Sequence, residues 1–218
     1  MYQVVCKVNL GCGINCLDGW INIDNSINAK LSKHQKLKYI LRMVGLLSES
    51  YYGVPWSDSI IIHDIRKRLP FLDESIDFVY ISVVLESLKK EESISVVKDA
   101  FRVLNHGGII RIVALNLEYI TKNYVNMVGS YDGNGELPSD YLLRTIGFFN
   151  NQKTLSEKIL YPQGIRRYIY DQISLSNLLG SIGFIDIHEE SFGKGKVPDI
   201  SKLDYKGDQF VYLEATKP

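Results

Sequence analysis

Two short runs near the start of the chain constrain its fold more than anything else. The first is Val4-Val5-Cys6-Lys7-Val8-Asn9-Leu10-Gly11-Cys12-Gly13, and the second is Gly19-Trp20-Ile21-Asn22-Ile23-Asp24. Each reads as an apolar strand; one ends in a glycine turn and the other on an acid. At the carboxyl edge of a parallel sheet, glycines let a ligand approach the backbone, and an aspartate on the next strand can accept hydrogen bonds from both hydroxyls of a ribose. Only about six residues separate Gly13 from Trp20, whereas a helical crossover between parallel strands takes a dozen or more. The first crossover is therefore expected to be a bare loop or a single turn.

Further strands are expected at Ile60-Ile61-Ile62-His63-Asp64 (short and buried), Ile76 to Ser82, Ile109 to Leu115, Phe184 to His188 and Gln209 to Ala215. Helical spacing of Ile94, Val97, Ala100, Phe101 and Leu104 predicts a helix over Glu91–Leu104, stopped by Asn105-His106-Gly107-Gly108. A second helix is expected over Ser174–Leu179, followed by a turn from Gly180 to Gly183. Strands alternating with helices imply an α/β, doubly wound, mostly parallel sheet, with an antiparallel hairpin of the last two strands at one edge. Two stretches fall outside that core. Residues 25–59 carry an expected helix from Leu31 to Leu47, striped by Leu37, Ile40, Leu41, Val44 and Leu47 and basic in its first half. Residues 116–171 are rich in Tyr, Asn and Gly. Both are read as caps, because loops at the carboxyl ends of strands surround the ligand.

Lys plus Arg equals Asp plus Glu at 25 each, so no global field draws this 218-residue chain to nucleic acid. No apolar run approaches the roughly 18 residues of a membrane span, and no signal peptide precedes Val4. The three cysteines lack metal-like spacing and read as reduced thiols, which together with these points suggests a cytoplasmic location.

Six blocks in this order resemble the class I S-adenosylmethionine-dependent methyltransferases, specifically the small type-11-like members. They are Asn9-Leu10-Gly11-Cys12-Gly13, Gly19 to Asp24, His63 to Phe71, Ser75 to Tyr80, Leu104 to Gly108, and Tyr170-Asp171 with Leu175 to Gly183. The resemblance covers nearly the whole chain, residues 1–218 as one such domain, and implies a seven-stranded Rossmann-like sheet. It also implies S-adenosylmethionine as cofactor. A dinucleotide site would want a third glycine three residues after Gly13; Cys16 stands there, which disfavours an NAD-linked oxidoreductase.

By the resemblance, Gly11, Cys12 and Gly13 would line the methionine and ribose portion, with Asn9 at the motif's acid position. Asp24 would hold the ribose hydroxyls with Asn25 beside it, although a strand-ending Asp can also be a turn residue. Asp64, with the Ile65 backbone, would meet the adenine, or Asp64 would only pair with the arginines after it. Ser82 would close the pocket near the sulfonium. Cys12 reads as a small packing residue rather than a nucleophile.

Relatives often carry a histidine-rich motif after the fourth strand; here Val83-Val84-Leu85-Glu86-Ser87 keeps only Glu86, and Leu115-Asn116-Leu117 lacks their acid. Glu86 and Tyr170 are the catalytic candidates, Glu86 alternatively as a helix-capping acid and Tyr170 as packing. Glu118, Tyr119, Tyr168 and His188 stand behind them. No metal site is expected. The expected activity is methyl transfer to a small-molecule or glycan-type acceptor, by a monomer or homodimer. The other reading is a cofactor-binding protein without transfer.

Overall fold

A computed structural model describes residues 5–47, 52–147, 166–205 and 207–218. Seven strands form one sheet: β1 (Lys7–Leu10), β2 (Ile21–Asp24), β3 (Ile61–Ile62), β4 (Ile76–Ser82), β5 (Leu104–Leu115), β6 (Ile185–Glu190) and β7 (Phe210–Thr216). Their order is β3-β2-β1-β4-β5-β7-β6. The first five run parallel, while β7 lies antiparallel to both β5 and β6. Strand order reverses between β1 and β4, and open α/β sheets bind ligands at the carboxyl ends of strands at such a switch. The glycine turn after β1 opens there.

Alternation along the strands sorts side chains to two buried faces. Val8, Leu10, Ile23, Val79, Ile81, Ile110 and Ile112 face one way. They pack against Val96, Val97 and Ala100 of α3 (Lys90–Val103) and Leu175 and Leu179 of α6 (Gln172–Ile182). Tyr80, Val113 and Tyr212 face the other way, with Trp20 and with Ile200 and Leu203 of α7 (Ile200–Leu203). Each fully buried Leu or Ile contributes about 1.5–3 kcal/mol, so both layers hold the sheet flat against its helices.

The second face also carries a charge. Arg111 of β5 stands opposite Glu214 of β7 and bonds its carboxylate at 2.9 Å. Its guanidinium also forks onto Asp204 at 3.0 and 2.6 Å, with all three side chains fully buried. Tyr80 and the Gly193 N–H donate to the same Asp204 carboxylate. The short α7 and its flanking loop are thereby fastened to the middle of the sheet.

The first crossover is a loop without a helix. Side-chain amides replace the missing helical bonds: Asn9 donates to the Asn15 carbonyl at 2.9 Å, and Asn15 donates to the Leu203 carbonyl at 2.7 Å. Asn22 donates to the carbonyls of Leu17 and Trp20.

Several expectations are corrected. The run Ile60–Asp64 yields only the two-residue β3, whose side chains are exposed because it is the sheet's edge; Ile60 alone is buried. Gly107 and Gly108 do not end the preceding helix. β5 begins at Leu104, and the pairing with β4 slips between Ile76 and Phe78 to absorb the glycines. The helix over Ser174–Leu179 is longer than expected. It is capped by Asp171, which accepts from Ser174 N at 2.7 Å, and closes on Gly183 at φ 114°.

The Leu31–Leu47 helix is two helices, α1 (Ile27–Ser32) and α2 (Gln35–Met43). Its apolar stripe is largely in solvent, with Leu37, Ile40 and Val44 at 45%, 54% and 61% exposure, and only Leu47 buried. The basic half is partly occupied: Lys38 lies buried with its ammonium 5.2 Å from the Tyr52 ring, and Lys33 donates to the Asp58 carbonyl. In the second insertion, α4 (Leu117–Ser130) is started by the Asn116 side chain, and α5 (Pro138–Thr145) follows. Residues 148–165 of that insertion lie outside the described residues.

Candidate functional site

A cavity of about 820 Å³ opens at the switch point. Asn9, Gly11, Cys12, Gly13, Asp24, Asn25, Asp64, Ile65 and Ser82 all lie on its wall. They come from the ends of β1, β2 and β4 and from the segment after β3, so the sheet's topology brings them together.

The geometry around the glycine turn is tight. The N–H groups of Gly11 and Cys12 both donate to the Ile23 carbonyl, at 2.8 and 3.0 Å, stapling the turn to β2. Gly11 has φ +71°, and a Cβ there would collide with Val84. Asp24 is buried, and its two oxygens accept from Gly13 N at 2.9 Å and Ser26 N at 2.7 Å. That leaves the outer lone pairs of a fixed carboxylate for a diol. No helix follows the turn, so the stacked N–H groups that cradle a pyrophosphate are lacking at this loop. The wall fits a phosphate-free nucleoside.

Asp64 is gripped by Arg66, whose Nε and Nη2 reach its two oxygens at 2.9 and 2.7 Å. The guanidinium holds the Asp64 carboxyl down at about 2, so it is ionised throughout the physiological range. The ion pair and the cavity-wall position coexist: Asp64 keeps further lone pairs on the same oxygens. Ser82 Oγ and His63 Nε2 are buried on this wall without hydrogen-bond partners among the described residues.

Past β4, Val83 adopts φ +53°, which is rare for a β-branched residue. Such strain persists only where the surroundings impose it, and it clusters at ligand sites. Here the imposing bond is Val83 N to the Val113 carbonyl at 2.8 Å.

The catalytic candidates sit elsewhere. Glu86 lies in the single 3-10 turn Leu85–Ser87, buried and off the cavity wall. Its Oε1 accepts from Leu115 N at 2.7 Å, and its main-chain carbonyl accepts from Arg167 N at 2.7 Å. Burial pushes its carboxyl pKa up, and Oε2 has no hydrogen-bond partner among the described residues. Tyr170 is buried in the core, edge-on to Tyr168 at 4.8 Å. Tyr168, Glu118, Tyr119 and His188 are also absent from the wall; Glu118 pairs with Lys122, and His188 meets Glu190 on the edge strand.

Sequence reasoning missed much of the rest of the wall. Val54 and Trp56 come from the first insertion, Tyr205 from the approach to β7 and Phe210 from the first position of β7. Trp56 packs beside Cys12, Ala29 and Ile60. Arg167, following the second insertion, also lines the cavity.

Residues 27–112, from α1 into β5, match the family described as "Methyltransferase domain". Among solved structures, a SAM-dependent methyltransferase from Thermotoga maritima is similar at 18% identity and TM-score 0.51, over 98% of this chain and 82% of that one. One from Archaeoglobus fulgidus is similar at 16% identity and TM-score 0.53, over 97% and 86%. Comparison with curated proteins gives no match. Residues 27–112 thus carry a methyltransferase-domain match, and the chain shares its fold with these S-adenosylmethionine-dependent methyltransferase structures.

Proposed function

We propose that the chain transfers the methyl group of S-adenosylmethionine to a small-molecule or glycan-type acceptor. The observation that carries this is the convergence of Asn9, Gly11–Gly13, Asp24, Asn25, Asp64, Ile65 and Ser82 on one cavity. Asp24 takes the ribose hydroxyls, Asp64 and the Ile65 backbone take the adenine, and Gly11–Gly13 run along the methionine side. Ser82 would close the pocket near the sulfonium. The bound cofactor supplies an already activated methyl group, so the protein's task is alignment and exclusion of water. Val54, Trp56, Tyr205 and Phe210 offer an apolar, aromatic surface for the acceptor.

Glu86 and Tyr170 act in this reading as positioning residues. Glu86 ties the end of β5 to the segment entering at Arg167, from behind the wall. Residues 1–218 work as one domain capped by segments 25–59 and 116–171. The reduced thiols suit a cytoplasmic setting, and a monomer or homodimer needs no nucleic-acid partner.

A second reading is a cofactor-binding protein without transfer, favoured by the position of both acid–base candidates off the wall. An assay for S-adenosylhomocysteine formation across phenol, amine and sugar acceptors separates them. Turnover lost in Asp24→Ala supports transfer. Saturable cofactor binding without turnover on any acceptor supports the second reading.

A further inference from the structure

Cys12 and Cys16 hold their sulfurs 3.6 Å apart in the bare crossover loop. Asn15 N donates to the Cys12 carbonyl at 2.9 Å, closing a turn that folds the two side chains onto each other. Both thiols also lie against the Gly13 carbonyl, at 3.6 and 3.7 Å. A disulfide needs the sulfurs about 2.05 Å apart, so closure asks for a shift of about 1.5 Å. A loop held by side-chain amides rather than a helical ladder can yield that much.

We propose that Cys12 and Cys16 are a reversible dithiol–disulfide site within the cofactor loop, and that oxidation by a small disulfide of the glutathione class weakens cofactor binding. The second half rests on the cofactor reading given above; the first does not. Cys16 is the half-buried member and Cys12 the buried one, so Cys16 reacts first. Its thiolate attacks one sulfur of the small disulfide, whose S–S bond breaks and releases one thiol. The Cys12 thiolate then attacks the Cys16 sulfur and expels the second thiol. Two protein thiols lose two protons and two electrons, and the small disulfide gains them as two thiols. Burial and the nearby Asp24 carboxylate keep both thiols protonated, which makes the step slow rather than forbidden.

The coupling to the cofactor follows from Gly13. Its carbonyl faces both thiols while its N–H binds Asp24 at 2.9 Å, and Cys12 itself lies on the cavity wall. Drawing the sulfurs together pulls Gly13 away from the acid. That bond orients the Asp24 carboxylate, and an Asp24 no longer held toward the diol forfeits about one hydrogen bond to it, roughly tenfold in affinity.

The test treats the folded protein with oxidised glutathione, removes the reagent, and counts thiols in denaturant, with peptide mapping to locate any bridge. The expected result is a fall from three thiols to one, with Cys6 still free, a Cys12–Cys16 bridge, and full reversal by dithiothreitol. Calorimetry with S-adenosylhomocysteine should show affinity falling about tenfold on oxidation and recovering on reduction, with no such change in Cys16→Ser. Three surviving thiols, or a lasting glutathione adduct without a bridge, would overturn the site. A bridged protein that binds as tightly as the reduced one would overturn the coupling. If the reduced protein does not bind at all, the cofactor reading fails and takes the coupling with it, while the thiol count still decides the bridge.

Discussion

The Gly13 N–H donates to Asp24 Oδ2 at 2.9 Å, so the turn that ends β1 and the acid that ends β2 form one hydrogen-bonded unit. Asp24 also takes the Ser26 N–H, and the Ser26 hydroxyl in turn caps α1 through Ala29 N. One carboxylate thus sets the glycine turn, the start of the first insertion and the orientation of its own outer lone pairs. Preorganisation of this kind reduces the ordering cost when a ligand binds.

Gly11→Ala should lose stability by about 2–4 kcal/mol, from left-handed strain plus overpacking against Val84. Urea unfolding checks it. Gly11→Ala combined with Val84→Ala should recover only the overpacking part, because φ stays at +71°. A single variant as stable as wild type would mean that the turn is looser than described.

Arg111→Met should cost about 3–5 kcal/mol, because it strands two buried carboxylates, Asp204 and Glu214. Chemical denaturation measures this directly. Replacing all three charged side chains by apolar ones should restore much of the loss, since a buried ionic cluster often stabilises no more than well-packed hydrocarbon. A loss below about 1 kcal/mol for Arg111→Met would contradict the buried-triad account.

Much of this was legible in the chain because strand period and turn chemistry are local. β4 runs over Ile76–Ser82 as its apolar pattern predicts, and the glycine turn and Asp24 stand out by residue type alone. The break between α1 and α2 was not legible, since neither Gly nor Pro marks Ser32–Gln35. The stripe on α2 suggested burial by its period, but period says nothing about whether a partner element arrives. Trp56, Tyr205 and Phe210 meet at the cavity from segments far apart in sequence, so no local signal announces them. Arg111 was visible only as a lone charge in an apolar run, with its partners 93 and 103 residues away. Glu86 does stand at a helix start, in the 3-10 turn Leu85–Ser87, but its carboxylate accepts from Leu115 N rather than capping that turn.

Glu86 gives a pH signature. Its pKa in the folded state is raised above 4.5 by burial, so the folded protein binds this proton more tightly than the unfolded chain does. Its contribution to stability is present below about 4.5 and is lost as pH rises through the folded pKa. Glu86→Gln removes that loss. The stability of the variant relative to wild type should therefore climb from about pH 4 towards neutrality, whatever constant offset the amide adds. Denaturant titrations at a series of pH values read the slope, and a flat difference would count against a buried, raised carboxyl.

The central claim is that this cavity holds the adenosyl cofactor through Asp24. Calorimetry with S-adenosylhomocysteine on reduced wild type and on Asp24→Ala, with circular dichroism confirming that both fold, tests it most directly. The account predicts saturable one-to-one binding by wild type and a loss of about 100-fold in the variant, the weight of two hydrogen bonds to a fixed carboxylate. Folded wild type without saturable binding, or a variant that binds equally well, would contradict it.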